Sequence, residues 1–360
     1  MNKSTLISIF LLIVSIEVIA QTDSIKTNSF AIYPAFGYQP ETKTQLGAIV
    51  IWVFKKKQSD DSKFYRPTTI SPFFLYTLKK QVLSAIDADI YFNNGYNLNA
   101  IARYFNYPDN YYGIGNSNEA DDFEKYTNQF VQLEGRLYKP FNERTFVGLT
   151  FDLQNNQLRK FEPGGRLESE VINGKSGGVH IGIGPAYRYD SRDNTLFPSG
   201  GMLIAAEILI VQLGNFHYAN FYVDLRKYLK INNDKNIIGF QFSSRFIAGN
   251  DVPFYKLPQL GGENRLRGIQ NASIYRDRNS VFLQTEYRRH LFWRFGAIAF
   301  AGVGDVAHTV GDYNLSDLKY VGGLGLRFAA IKDQKLNIKF DLGFAKGNQS
   351  AFYIGIKEAF

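Results

Sequence analysis

The sequence predicts an all-β fold, a sixteen-stranded antiparallel transmembrane β-barrel. Three observations carry that expectation. Apolar and polar residues alternate with period two from Phe30 onward, the repeat of a strand whose two faces meet different media. The alternating segments commonly run to ten or more residues, whereas strands of soluble sandwiches average about six. Short connections are interleaved with long ones, the pattern of a barrel with tight turns at one rim and loops at the other.

Taken in order, candidate strands begin near Phe30, Gln45, Tyr65, Val82, Tyr96, Tyr126, Phe146, Gly178, Met202, Tyr218, Ile237, Val281, Phe295, Tyr320, Leu336 and Ala351. In VHIGIGPAYRYD (179–190), Ile181, Ile183, Tyr187 and Tyr189 share one face against His180, Gly182, Gly184, Arg188 and Asp190. In SVFLQTEYRRH (280–290), Val281, Leu283, Thr285 and Tyr287 oppose Gln284, Glu286, Arg288 and His290. In KLNIKFDLGF (335–344), Ile338, Phe340, Leu342 and Phe344 oppose Asn337, Lys339, Asp341 and Gly343. One face is aliphatic and aromatic; the other is charged or glycine. About nine to eleven tilted residues span the hydrocarbon layer. The turns NNG (93–95), LFW (291–293) and IKDQK (331–335) are short, whereas 108–125, 162–177 and 250–279 are long. An even strand count puts both ends on the periplasmic side, so 250–279, between the eleventh and twelfth strands, lies outside.

The N-terminus carries LISIFLLIVSI after Lys3 and small Ala20 before a polar stretch. This reads as a secretory signal over residues 1–20, followed by a short periplasmic segment (21–29) and the barrel (30–360). The chain has no cysteine, which excludes a disulfide framework and a lipid-modified N-terminus. The formal charge of +8 is dispersed. With no nucleic-acid-binding module in a secreted chain, the charge reads as a solvated lining and as contact with anionic lipid. GKSGG (174–178) fits a hydrolase pattern but lacks the strand before and helix after that its serine needs. Glu119, Asp121 and Asp122 lack ordered calcium-ligand spacing, and the four histidines are scattered. No enzyme activity, cofactor or metal is expected.

Two irregular stretches stand apart. YDSRDNTLFPSGG (189–201) sets Asp190, Arg192 and Asp193 to pair across a turn whose end is fixed by Pro198 and Gly200. LGGENRLRGI (260–269) packs Gly261, Gly262, Leu266, Arg267 and Gly268 into the longest irregular segment. TEYRR (285–289), GGLGLRF (322–328) and YPAFGYQPETKTQLGA (33–48) complete the set. Together these stretches resemble the BamA/TamA superfamily of outer-membrane barrels, the bacterial surface antigen family, over nearly all of the chain beyond the signal. The resemblance implies that the first stretch is the family's turn between the eighth and ninth strands. It implies that the second is the sixth external loop, whose arginine–glycine pair folds inward into the lumen. It also implies a role in helping proteins or lipids enter or cross the outer membrane of a Gram-negative bacterium. Two departures stand out. Family members usually carry periplasmic POTRA modules, and residues 21–29 leave no room for one. The family's thirteenth strand typically offers the loop arginine an aspartate, whereas FAGVG (300–304) has Gly302 there.

A lumen of sixteen strands is wide enough for a channel unless something fills it. Arginine suits the loop tip because its planar fork holds two acceptors and stays charged. Period two turns both Glu286 and Asp341 inward, so both are candidate partners of Arg267, with Asp341 first. A weak seam between the first and last strands is expected from Pro34, which cannot donate a ladder hydrogen bond. Gly355 in a short last strand and Phe360 as its terminal aromatic belong to the same seam. Expected partners are outer-membrane lipid and unfolded protein clients or a separate periplasmic protein; the oligomeric state is open. The rival reading is a passive pore or a structural barrel that acts only with a partner.

Signal cleavage after Ala20 should leave Gln21 as the first residue of a protein that fractionates with the outer membrane. The unheated band should migrate faster than the boiled one in detergent gels, and recovery from the soluble periplasm would overturn the barrel.

Overall fold

The computed structural model describes residues 28–54, 68–92, 94–195, 197–331, 336–356 and 358–360. The expected signal, residues 21–27 and most of the charged insert after Phe54 lie outside them. Sixteen strands follow one another as β1 (Asn28–Gln39), β2 (Lys43–Phe54), β3 (Thr68–Thr77), β4 (Val82–Tyr91), β5 (Asn97–Tyr111), β6 (Glu124–Pro140), β7 (Thr145–Arg159) and β8 (Gly178–Asp190). The second half is β9 (Gly201–Gly214), β10 (His217–Ile231), β11 (Asn233–Asp251), β12 (Asn279–Phe292), β13 (Phe295–Ala307), β14 (Lys319–Ile331), β15 (Leu336–Ala345) and β16 (Gln349–Ile356). Each pairs antiparallel with its sequence neighbours, and β1 meets β16 to close the barrel. Closure removes the free sheet edges that would otherwise leave backbone groups unpaired in hydrocarbon, except along β1, which is registered with β16 only at Tyr38 and Ile354.

The expected strand starts lie within four residues of the observed ones; the largest difference is at β11, whose ladder runs back to Asn233. The expected contrast between rims holds only in part. The loops at 112–123, 160–177, 252–278 and 308–318 share one rim, which we term the loop rim, but so do tight turns at 40–42, 78–81, 215–216 and 346–348. Two antiparallel neighbours need only a short turn to be joined, so the long loops mark where chain is required for something else.

Outward positions are apolar and exposed, among them Ile183, Leu225, Leu283, Leu342 and Phe344. Inward positions of β7, β11, β12 and β15 are polar, including Asp152, Gln241, Glu286 and Asp341. The apolar core therefore sits inside the barrel, under the loop rim, and the 252–278 loop supplies much of it. Phe254 and Leu257 pack with Tyr111, Tyr126 and Phe216. Leu260, Leu266, Ile269 and Ile274 pack with Phe282, Val306 and Val321. The rule of one apolar and one charged or glycine face fails at β2 to β4. There the strand register places Ile49, Phe73, Leu75 and Leu83 on the inward side as well.

Leu225 sits mid-strand on the outward face of β10. Leu225→Arg should lower the urea stability of the liposome-inserted barrel by about 2–4 kcal/mol, the effect of an arginine near the bilayer midplane, whereas Leu225→Phe should change it little.

Candidate functional site

The 252–278 loop turns back into the lumen and grips both walls. Lys256 donates to Asp152 Oδ2 on β7 at 2.8 Å. The same oxygen is 3.1 Å from His180 Nε2 on β8, while Gln132 of β6 donates to Asp152 Oδ1 at 2.7 Å. On the facing wall Arg267, fully buried, divides its fork between two carboxylates. Its Nη1 donates to Asp341 Oδ2 at 2.7 Å and its Nη2 to Glu286 Oε2 at 2.5 Å. The guanidinium also lies 3.9 Å from the centroid of Phe300. Both candidate acids thus hold the arginine, rather than one in preference to the other.

Neither acid belongs to Arg267 alone. Arg288 Nε donates to Glu286 Oε1 at 2.7 Å, and Arg327 Nη1 donates to Asp341 Oδ1 at 2.5 Å. Arg327 continues to Glu358 at 2.7 Å. Charges therefore alternate in the series Arg288, Glu286, Arg267, Asp341, Arg327, Glu358. In a low-dielectric interior a charge is tolerated only with such partners. The strand period explains the placement: Glu286 and Arg288 are two apart on β12, so both face inward.

Gly268 adopts φ +123°, and a Cβ there would lie 2.7–2.8 Å from the backbone of Phe344. Gly343 faces it, since a Cβ on Gly343 would lie 2.7 Å from the Arg267 carbonyl oxygen. Loop and wall backbones touch because neither residue has a side chain. At Gly302 a Cβ would lie 2.7 Å from Leu266 Cδ2. The position expected to hold an aspartate is thus occupied by the loop's leucine, and β13 contributes the Phe300 ring instead. Gly261 is buried against Ile269, and Gly262 adopts φ +119° where the loop turns.

The turn between β8 and β9 belongs to the same assembly. Arg192 donates from Nε and Nη2 to Asp190, both at 2.9 Å. Asp193 Oδ1 accepts the amides of Ser199 at 2.8 Å and Gly200 at 3.2 Å. The carbonyl of Pro198 accepts from Arg288 Nη1 at 3.1 Å, so Arg288 ties this turn to the charge series. The sequence placed Arg288 on the face of Glu286 but gave it no role with Arg267, and it gave none to Arg327 or Glu358. The signal was present: Arg288 shares the parity of Glu286, and Arg327 that of Gly323 and Gly325.

The seam residues are not brought together as expected. Pro34 lies mid-strand in β1, opposite Ala48 of β2. Gly355 lies in β16, where a Cβ would be 2.5 Å from Glu263 Oε1. Phe360 is not part of the closing strand. β16 ends at Ile356, and Phe360 is buried in the lumen, stacked on Tyr228 with ring centroids 6.4 Å apart. Its carbonyl oxygen accepts from Arg288 Nη2 at 2.7 Å. The tail turns inward because the charge series satisfies its polar groups there, with Glu358 also accepting from Asn337 at 3.1 Å. Glu263 was also missed. It accepts from Lys339 Nζ of β15 at 2.8 Å and from Gln39 Nε2 of β1 at 2.5 Å, so the loop touches both sides of the closing strand.

The model of the Omp85 superfamily domain matches residues 37–357. The structure of BamA from Haemophilus ducreyi lacking POTRA domains 1–3 superposes with a TM-score of 0.63 at 14% identity, covering 92% of this chain and 70% of that one. CdiB from Acinetobacter baumannii superposes with a TM-score of 0.61 at 11% identity, covering 92% of this chain and 60% of that one. No curated protein matches the chain.

Removing one member of a buried ion pair costs about 3–5 kcal/mol. Arg267→Ala should fall at the lower end of that range, because Glu286 and Asp341 each keep a second arginine. Double-mutant cycles should show coupling of about 0.5–3 kcal/mol between Arg267 and both Glu286→Gln and Asp341→Asn. Additivity with both acids would show that the loop is held by its apolar contacts instead.

Proposed function

The chain belongs to the Omp85 superfamily, and from that premise we propose that it inserts proteins into, or translocates them across, the outer membrane of a Gram-negative bacterium. The observation that carries the reading is the seam. Every other neighbouring pair of strands is in register over at least eight residue pairs, but β1 and β16 share one, Tyr38 with Ile354. Along 28–37, β1 is registered only with β2 among the described residues. A strand edge with free N–H and C=O groups is a template for an incoming strand. The proposed orientation puts the loop rim outside and both ends of the barrel chain in the periplasm.

In this mechanism no bond is made or broken. A client strand pairs with the free edge of β1 while the Arg267 loop keeps the lumen filled. The seam widens at the low cost of one registered pair, and the remaining ladders keep their hydrogen bonds. Clients and any periplasmic partner are recognised through their own β-strand edges, so backbone pairing supplies affinity and the alternating side chains supply register.

Cysteines at Tyr38 and Ile354, the one registered pair, test the idea in proteoliposomes given a urea-unfolded barrel client. Oxidation should slow client insertion about tenfold, equivalent to about 1.4 kcal/mol of barrier, and reductant should restore it. Unchanged insertion by a fully crosslinked barrel would remove lateral opening. A crosslinked and an open barrel that both leave the client uninserted while passing ions would favour the passive pore.

A further inference from the structure

The two strands of the seam share one registered pair, Tyr38 with Ile354, yet each is tied to the inward-folded loop. On the β16 side, the Gln270 amide donates to Gln349 Oε1 at 3.1 Å, and Gln349 Nε2 donates to the Tyr275 hydroxyl at 2.9 Å. The Tyr353 hydroxyl donates to the Ile269 carbonyl at 3.4 Å. On the β1 side, the Ala272 amide donates to Glu41 Oε1, in the β1–β2 turn, at 2.8 Å. Glu263 reaches both sides at once: one carboxylate oxygen accepts from Lys339 Nζ of β15 and the other from Gln39 Nε2 of β1. Gln39 follows Tyr38 in the chain, so this crossing lies beside the single registered pair.

An exposed lysine–glutamate pair would hold little, but this one is enclosed. The Lys339 side chain is 1% exposed, and Glu263 is its only ion-pair partner among the described residues. Without that carboxylate Lys339 would be a buried charge standing alone, so Glu263 is kept in place. Lys339 is in register with Gly355 of β16, and a Cβ on Gly355 would lie 2.5 Å from Glu263 Oε1. The glycine therefore leaves the space through which Glu263 passes over β16. Arg267, four residues further along the loop, is fixed to β12 and β15. Glu263 thus extends from the β15 side of the seam, across β16, to β1.

We propose that Glu263 is the latch of the seam: its carboxylate spans β16 and holds β1 beside it, so the seam parts only when Glu263 releases Gln39. The inference rests on the lateral opening proposed above and names what regulates it. With one registered pair the ladder makes opening cheap. The bond from Gln39 to a carboxylate adds a contact that is made or lost as a unit, and it belongs to the loop rather than to the wall. Loop position and seam state are then linked. Whatever draws the loop away from β1 favours the open seam, and an open seam frees this part of the loop by the same free energy. Gln349 and Tyr353 keep β16 with the loop, so β1 is the strand that leaves, and its edge is the one presented.

The chain lacks cysteine, so Leu46→Cys on β2 and Leu342→Cys on β15 can carry one pair of nitroxides. Both positions are exposed on the outer face, and they flank the two seam strands. Double electron–electron resonance is read in lipid nanodiscs without any client. The labelled parent should give mainly one short distance. Glu263→Ala and Gln39→Ala should each add a longer distance and raise the open fraction about tenfold, the worth of one hydrogen bond to a charged group. The two together should raise it no further than Glu263→Ala alone. Gln39→Ala keeps the Glu263–Lys339 pair, so it carries the test even where Glu263→Ala fails to fold. Gly355→Ala, which crowds the carboxylate and removes no charge, should act in the same direction. A distance distribution unchanged by Gln39→Ala and Gly355→Ala overturns the proposal. So does a rise with Glu263→Ala alone, which would make Glu263 a support of the loop and not of the seam. Failed client insertion by the parent, with these distance shifts intact, would remove the insertion reading and leave the latch standing.

Discussion

The rest of the structure depends on Arg267 being charged, buried and paired with two carboxylates. A lone guanidinium in the lumen would face a desolvation penalty of several kcal/mol. Here two carboxylates from strands three apart in the barrel meet it, and each is shared with a further arginine. The resulting series ties together segments that the chain order keeps apart. Through Arg288 it reaches the β8–β9 turn and the backbone of Phe360, and through Arg327 it reaches Glu358. Loop, turn and tail are therefore three attachments of one electrostatic unit. Disturbing any member leaves charges on the others without full compensation.

Much of this was legible because strand parity is a strict rule. A residue two positions from a lipid-facing leucine faces lipid, so Glu286 and Asp341 could be turned inward from the sequence alone. The same rule reached the sixteen strands to within a few residues. It could not show which inward groups meet across the lumen, since that depends on shear and tilt, which period two does not encode. Arg288 joining two separate motifs, and Glu358 turning back at the end of β16, are facts of that kind. Phe360 was misplaced for a related reason: alternation near the C-terminus looks the same whether the last residues extend the strand or leave it. At Gly302 the sequence showed that an acid was absent, but not that Leu266 would take its space.

The two walls of the lumen divide its contents. The β12–β15 wall combines the charge series with apolar Phe282, Val306 and Val321 and with the glycines Gly302 and Gly343, and protein fills it: the loop docks there, at Gly268 and Gly343 backbone to backbone. The β1–β4 wall mixes inward Tyr33, Ile49, Phe73 and Leu75 with Ser71, Asp87 and Asp89, and these apolar residues stay apart from the loop's clusters. Between the walls stands β16, short and held on one side by a full ladder to β15. On the other side it is held by one registered residue pair and by Glu263 reaching over it to Gln39. The barrel is thus rigid where it is filled and weakly closed where it is not.

The weak closure also bears on how the barrel comes to be formed. Arg267 and its partners all lie between residues 267 and 358, so the loop can dock while β12 to β15 are still an open, curved sheet. Joining β1 to β16 brings together the two ends of the barrel chain, the contact with the greatest loop-closure entropy against it. It is also the contact with the fewest ladder bonds in its favour. On any folding route the seam is then the last junction to form and the first to be lost. The strands that would part during activity are the ones whose meeting completes biogenesis.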